Sequence, residues 1–318
     1  MRVDRRLVLG LAATGVASAA PNAIDPVEVV KLWPGPPPGA PTHLPTLQLV
    51  DRFKTSGFQD RYVTGVAEPL VTVFRPSKPN GSALIIAPGG GYIRVVIDKE
   101  GFEVGRRMAL SGVTSFVLRY RLPAEGWGQG SEVPLQDAQR AIRLVRSRAS
   151  DFGIDPDRVC FMGFSAGGHV AATLATGADR IAYDARDDMD LVSARPDLSA
   201  LMYPVIDMAK PFAHIGSREA LIGSSPSQDA EFRYSPQKHV SQGTPPTFMI
   251  HACNDPAVPI ENTLSYLSAM RASGRPAEAH LFEEGGHGFG IGLAQGKPAS
   301  AWPELFLAWA GRHGFFGK

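Results

Sequence analysis

From about residue 66 onward, short apolar runs alternate with segments whose apolar residues recur every three to four positions. The runs Leu70–Phe74, Ala83–Ala87, Thr114–Tyr120, Arg158–Met162, Ala200–Val205, Thr247–Ala252 and Glu278–Phe282 predict strands. Several are apolar without interruption, as strands covered on both faces require. Between them, Leu135, Ala138, Ile142, Val145 and Ala149 trace one helical stripe, and Ile260, Leu264, Leu267 and Met270 trace another. Trp302, Leu305, Phe306 and Trp309 mark a last amphipathic helix. This alternation predicts an α/β domain over residues 66–318, with a mostly parallel central sheet and helices on both faces. The polar, irregular regions 177–198 and 208–245 read as insertions above the strand ends, where such sheets bind ligands.

The residues before this domain have a different character. Residues 1–20 read as a signal peptide: Arg5-Arg6, an apolar run from Leu7 to Val16, then a small-residue cleavage site at Ala17-Ser18-Ala19. The arginine pair suits twin-arginine export, and a periplasmic or secreted location is expected. The alternative is an uncleaved N-terminal helix. The run is shorter than the roughly 20 apolar residues that span a bilayer, so no membrane span is expected. Residues 21–65 read as a proline-rich arm, because Trp33 to Pro45 holds too many prolines for helix or sheet.

Composition excludes several roles. The 318 residues are 44% hydrophobic and 20% charged, enough for a large buried core. The net charge is +1, but Arg2, Arg5 and Arg6 against Asp4 carry +2 of it, leaving about −1 for the rest. No basic footprint for nucleic acid remains. The two cysteines, Cys160 and Cys253, adjoin apolar runs and are expected to be inert buried thiols. No Cys or His pair has metal-ligand spacing, so neither metal nor organic cofactor is expected.

Chemistry concentrates at Gly163-Phe164-Ser165-Ala166-Gly167. A G-x-S-x-G match is weak by itself in a chain with 34 glycines. Its setting gives it weight: an apolar strand runs into it and the small-residue stretch Ala166–Thr176 follows as a helix. That is the strand–turn–helix of a nucleophile elbow, with Ser165 lifted above the sheet. Pro88-Gly89-Gly90-Gly91-Tyr92 follows the strand Ala83–Ala87, where such folds expose backbone N–H groups to a developing oxyanion. The amides of Gly90, Gly91 and Ala166 are the expected donors. Tyr92 adjoins them, either lining an acyl pocket or filling the core.

A base and an acid should follow in chain order. His287, in Gly285-Gly286-His287-Gly288, lies just past the last strand and is the expected base. His169, four residues past Ser165, reads as structural; His251 and His280 fall inside strands; His43, His214, His239 and His313 lack catalytic context. Asp255 follows the strand Thr247–Ala252 and is the expected acid, with Asp207 as its rival after the preceding strand. Glu283 and Glu284 enter the histidine loop and should face solvent.

In this order, Pro-Gly-Gly-Gly-Tyr, Gly-Phe-Ser-Ala-Gly-Gly-His and Gly-Gly-His-Gly-Phe-Gly resemble the acetyl-xylan-esterase-like branch of the α/β-hydrolases. Leu32-Trp33-Pro34-Gly35 and Thr244-Pro245-Pro246-Thr247-Phe248 extend the resemblance over most of residues 32–312. It implies an α/β-hydrolase fold and a triad of Ser165, His287 and Asp255. It also implies an exported esterase that removes acetyl or other short acyl groups from xylan-type carbohydrate. One departure stands out: where many members carry two adjacent aspartates, this chain has Asn254-Asp255, which alters the support of the acid. The same motifs occur in general short-chain carboxylesterases and lipases, and a peptidase or a non-catalytic protein of this fold are further alternatives.

Overall fold

Strands buried at every residue need cover on both sides, and that requirement organises the molecule. The computed structural model describes residues 25, 26, 28–52 and 59–316; the expected leader, residues 1–20, lies outside them. In chain order the strands and helices are β1 (Val29–Lys31), β2 (Gln48–Asp51), β3 (Arg61–Thr64), β4 (Leu70–Phe74), β5 (Ala83–Ala87), α1 (Glu103–Ala109) and β6 (Thr114–Arg119). Next come α2 (Val133–Ser147), α3 (Ala149–Phe152), β7 (Val159–Phe164), α4 (Ala166–Gly177), β8 (Leu198–Met202), α5 (Ile215–Ile222) and α6 (Gln228–Arg233). The chain ends with β9 (Thr247–Ala252), α7 (Glu261–Ala272), β10 (Ala277–Phe282) and α8 (Trp302–Arg312). Every residue of β4, β5, β7, β8 and β9 is buried.

The main sheet has eight strands in the order β1-β4-β6-β5-β7-β8-β9-β10. The pairs from β6 through β10 are parallel; β4 is antiparallel to β6, and β1 to β4. The chain goes from β5 to β6 on one side, then returns past β5 to β7 on the other. With right-handed crossovers, α1 and α2 must lie on opposite faces. This reversal opens a crevice at the carboxyl ends of β5 and β7, where Gly89–Gly91 and Ser165 sit. Among the described residues no helix is long and apolar enough to cross a membrane.

Most strand bounds agree with the sequence to within a residue or two. The exception is the run expected at Ala200–Val205, whose strand is Leu198–Met202. Tyr203 leaves the ladder at φ 38°, and Val205 turns its N–H to the Ser165 carbonyl at 3.0 Å. Those apolar residues are buried beneath the elbow rather than in the sheet. The region 208–245 carries α5 and α6, and Ser217 of α5 lies beside Gly91 of the glycine loop. The region 177–198 differs. It runs along α2, held by Gln136, Gln139, Arg143 and Arg146, and ends where Asp197 pairs with Val159 at the start of β7.

The proline-rich stretch is bound to the body instead of leading into it. Val29–Lys31 adds β1 to the sheet edge, and Val63 of β3 bridges to Val95. Trp33 is buried, and its indole N–H donates to Asp137 at 2.9 Å. Asp137 also accepts the Arg121 backbone N–H and forks with the Arg121 guanidinium at 2.8–3.0 Å. Both side chains are fully buried. Arg121 reaches on to the Pro38 carbonyl at 2.7 Å, and Arg140 to that of Leu32 at 2.7 Å. Guanidinium groups of Arg121 and Arg140 stack on Trp33 at 5.6 and 5.4 Å.

Removing one partner of a buried ion pair leaves an uncompensated charge, which costs about 3–5 kcal/mol. Asp137→Ala is therefore expected to lower stability by about that amount in urea unfolding. Asp155→Ala, which breaks the more exposed Arg158 pair, should change it by about 1 kcal/mol or less.

Candidate active site

The elbow exists because three glycines let a helix and two strands approach without side chains. Ser165 joins β7 to α4 at φ 53°, ψ −117°, a region few non-glycine residues occupy and one that stores about 1–3 kcal/mol of strain. A Cβ on Gly163 would lie 2.0 Å from the Gly167 carbonyl oxygen, and one on Gly167 would lie 2.1 Å from that of Ala87. A Cβ on Gly168 would meet Pro204 at 2.7 Å. The strained turn is clamped by the backbone: Ser165 N–H donates to Met202 O at 2.9 Å, and Ser165 O accepts from Val205 N–H.

Ser165 Oγ lies 2.9 Å from His287 Nε2, and His287 Nδ1 lies 2.7 Å from Asp255 Oδ2. A carboxylate only accepts, so Nδ1 carries the proton and Nε2 accepts from the serine hydroxyl. The order expected from the sequence is the order that meets in space. Asp255 closes a turn after β9: its Oδ1 accepts the N–H groups of Ala257 and Val258 at 2.8 and 2.9 Å. Burial alone would raise its carboxyl pKa, but bonds from His251 and His287 hold it well below the usual range. It stays ionised beside the imidazole. The rival Asp207 is elsewhere, accepting from Ala209 N–H at 2.9 Å.

Asn254 does supporting work at the departure point. Its Oδ1 accepts the N–H groups of Gly285 and Gly286 at 3.0 and 2.9 Å, which pins the histidine loop to the end of β9. His251, which read as an ordinary strand residue, stands behind the acid. Its Nε2 lies 3.0 Å from the Val258 carbonyl and 3.3 Å from Asp255 Oδ2, while Nδ1 meets Thr263 Oγ1 at 2.8 Å. Its spacing of four from Asp255 across the end of β9 was the available signal. Glu283 and Glu284 are exposed. So is Cys253, contrary to the buried thiol expected, because β9 ends at Ala252 and the chain turns outward.

The glycine loop faces the serine. Gly90, Gly91 and Tyr92 take φ of 134°, 67° and 64° in succession, a run of left-handed residues that exposes backbone N–H groups. Among the described residues no protein acceptor takes the N–H of Gly90, Gly91 or Ala166. Gly89 is committed elsewhere: its N–H donates to Glu100 Oε2 at 2.9 Å. Its missing side chain matters too, since a Cβ there would lie 2.9 Å from Ser165 Cβ. A chain of this kind can deprotonate a hydroxyl and offer unpaired donors to the oxygen of an attacked carbonyl.

Tyr92 is packed in the core: it is buried, with its OH 2.7 Å from His169 Nδ1. His169 Nε2 donates to Tyr234 O at 2.6 Å. Burial lowers the His169 pKa to about 4, so this histidine is neutral and structural. Two surface clefts of about 590 and 560 Å³ lie beside Glu132 with Arg180, and beside Arg143 with Asp190; neither is lined by Ser165 or His287.

The depressed His169 pKa carries a stability consequence. The unfolded chain binds that proton near pH 6.5 and the folded chain only near 4, so stability is full above 6.5 and falls as pH drops through that window. Unfolding free energies at pH 7.5 and 5 should differ by about 2 kcal/mol less in His169→Gln than in the parent.

Comparison with known proteins agrees with this architecture. The acetylxylan esterase of Xylanibacter ruminicola is 35% identical over 224 residues, which are 69% of this chain and 43% of that protein. Endo-1,4-beta-xylanase B of Butyrivibrio fibrisolvens is 32% identical over 228 residues, 72% of this chain and 34% of that one. This chain thus spans less than half the length of either. The crystal structure of an acetyl ester-xyloside bifunctional hydrolase from Caldicellulosiruptor lactoaceticus matches with a TM-score of 0.74 at 33% identity, over 92% of this chain and 99% of that chain. The BD-FAE family model matches residues 73–270. With that match over most of its length, the chain belongs to the BD-FAE family and has the α/β-hydrolase fold.

Proposed function

We propose that this protein is a serine carboxylic ester hydrolase that removes acetyl or other short acyl groups from xylan-type carbohydrate. The observation that carries the proposal is the hydrogen-bonded chain from Ser165 through His287 to Asp255, beside three unclaimed N–H groups. In this reading His287 Nε2 takes the Ser165 proton as Oγ attacks the ester carbonyl, and Asp255 stabilises the imidazolium that forms. The amides of Gly90, Gly91 and Ala166 hold the oxyanion, each worth about 3–4 kcal/mol in the transition state. The imidazolium then protonates the leaving alkoxide. Water, deprotonated by the same nitrogen, cleaves the acyl-enzyme and frees the acid.

Support for a sugar ester comes from the names of the relatives: an acetylxylan esterase, and the bifunctional acetyl ester-xyloside hydrolase that matches over nearly the whole chain. The leader expected at residues 1–20 would suit an enzyme acting on a polymer outside the cell. The same machinery would serve a general short-chain carboxylesterase, and the relatives include a protein named Esterase LipC from Mycobacterium tuberculosis.

Ser165→Ala is expected to abolish nitrophenyl-acetate hydrolysis in a protein that unfolds like the parent; retained turnover would sink the assignment. Asp255→Asn should lower kcat by about 10³–10⁴-fold, and Asp207→Asn by less than about tenfold. The reverse ranking would move the acid to the end of β8. Acetylated xylo-oligosaccharides should be turned over with a higher kcat/KM than alkyl acetates, and a preference for longer alkyl esters would favour the general carboxylesterase.

A further inference from the structure

The two loops that complete the site, Pro88–Tyr92 and Gly285–Gly290, come from strands far apart in the sheet, and a buried carboxyl group joins them. Glu100 lies in a π-helical turn, Asp98–Phe102, and is only 2% exposed. Its Oε2 accepts Gly89 N–H at 2.9 Å, and its Oε1 accepts the Tyr203 hydroxyl at 3.0 Å. The Tyr203 oxygen in turn accepts Gly290 N–H at 3.1 Å. The Tyr203 ring packs against His287 and Phe289 with centroids 5.3 and 4.7 Å apart. A Cβ on Gly288 would lie 3.4 Å from Glu100 Oε1, and one on Gly290 would lie 2.5 Å from the Lys99 carbonyl. The turn at 98–102 is therefore packed directly under the histidine loop.

The hydrogen-bond partners of Glu100 are one amide and one phenol, and the Lys99 ammonium lies nearby beside Gly288. A buried carboxylate whose hydrogen-bond partners are both neutral is a costly choice unless its acceptor geometry is needed. Here it is. Gly89 N–H and Tyr203 O–H both need an acceptor, and only a carboxylate accepts on both oxygens without offering a donor to either. Burial and the Glu100 charge raise the Tyr203 pKa well above its ordinary value, so its hydroxyl stays a donor.

We propose that Glu100 is a positioning residue: through Gly89 and through Tyr203–Gly290 it holds the oxyanion loop and the histidine loop at one fixed separation. The proposal rests on the serine-esterase reading above. Gly89 precedes the expected oxyanion donors by one residue, so displacing it moves Gly90 and Gly91 relative to Ser165. A shift of about 1 Å at a reacting centre costs on the order of 100-fold in rate.

The test compares Glu100→Ala, Glu100→Gln and Tyr203→Phe with the parent in steady-state hydrolysis of nitrophenyl acetate and in inhibition by phenylboronic acid. The boronic acid accepts the Ser165 oxygen lone pair, the serine proton passes to His287, and the tetrahedral adduct carries its charge toward the oxyanion donors. Glu100→Ala should lower kcat about 100-fold with KM changed less than about threefold, and should weaken boronate binding in proportion. Glu100→Gln, which keeps one acceptor, should recover about tenfold of that loss. Tyr203→Phe should lose about tenfold, and the Glu100→Gln/Tyr203→Phe double variant should be no worse than the poorer single one, because both break the same link. If Glu100→Ala does not unfold cooperatively, the Gln and Phe variants and their coupling decide the matter. Parental boronate affinity in these variants, or strictly additive losses, would overturn the positioning role while leaving the esterase reading intact. An active Ser165→Ala would overturn both.

Discussion

The distance at which α4 approaches β5 and β7 governs the rest of the site. Ser165 can stand above the sheet at φ 53° only because Gly163, Gly167 and Gly168 leave no Cβ between strand and helix. Carbonyl oxygens about 2 Å from where the Gly163 and Gly167 Cβ atoms would be, and Pro204 at 2.7 Å from that of Gly168, leave no room for even a methyl group. The strained serine is held in turn by Met202 and Val205, which is why the apolar residues after β8 are buried outside the ladder. Once the elbow is set, the reversal of strand order at β5 brings Gly90 and Gly91 beside it.

The remaining groups are fixed by hydrogen bonds behind and beside the triad. Asp255 is aimed by two N–H groups of its own turn and backed by His251; the His287 loop is pinned by Asn254; Gly89 and Gly290 are tied through Glu100 and Tyr203. The bonds of Glu100 and Tyr203 are buried and would be costly to leave unmade, whereas those of Asn254 lie at the surface. Precise placement thus follows from satisfaction of the interior, not from the few contacts among Ser165, His287 and Asp255 alone.

Sequence reasoning succeeded where a residue's neighbours announce its backbone. Glycines around Ser165 and His287, and Pro256 after Asp255, mark turns at strand ends, and their chain order did the rest. It had less to go on where the deciding partner is remote in sequence. Asp207 and Asp255 both follow strands, but Asp207 spends its carboxyl on Ala209 N–H while Asp255 faces an imidazole 32 positions on. Nothing near Glu100 in the chain reveals Gly89 and Tyr203 closing over it. Cys253 read as buried for the opposite reason: its apolar neighbours end one residue too soon. The region 177–198 looked like an insertion over the site only because its polarity hides the row of α2 side chains that binds it.

By itself the sequence determined the α/β alternation, the elbow, the glycine loop and the candidate acid and base, since each depends on local periodicity or on backbone freedom that only glycine supplies. The tertiary structure alone decided which acid meets His287, which amides remain unclaimed, and that the proline-rich stretch is stapled to the body through Trp33 and Asp137. Those outcomes depend on hydrogen bonds between residues tens to over a hundred positions apart. The pattern of one stretch of chain cannot encode a partner that only folding brings within 3 Å.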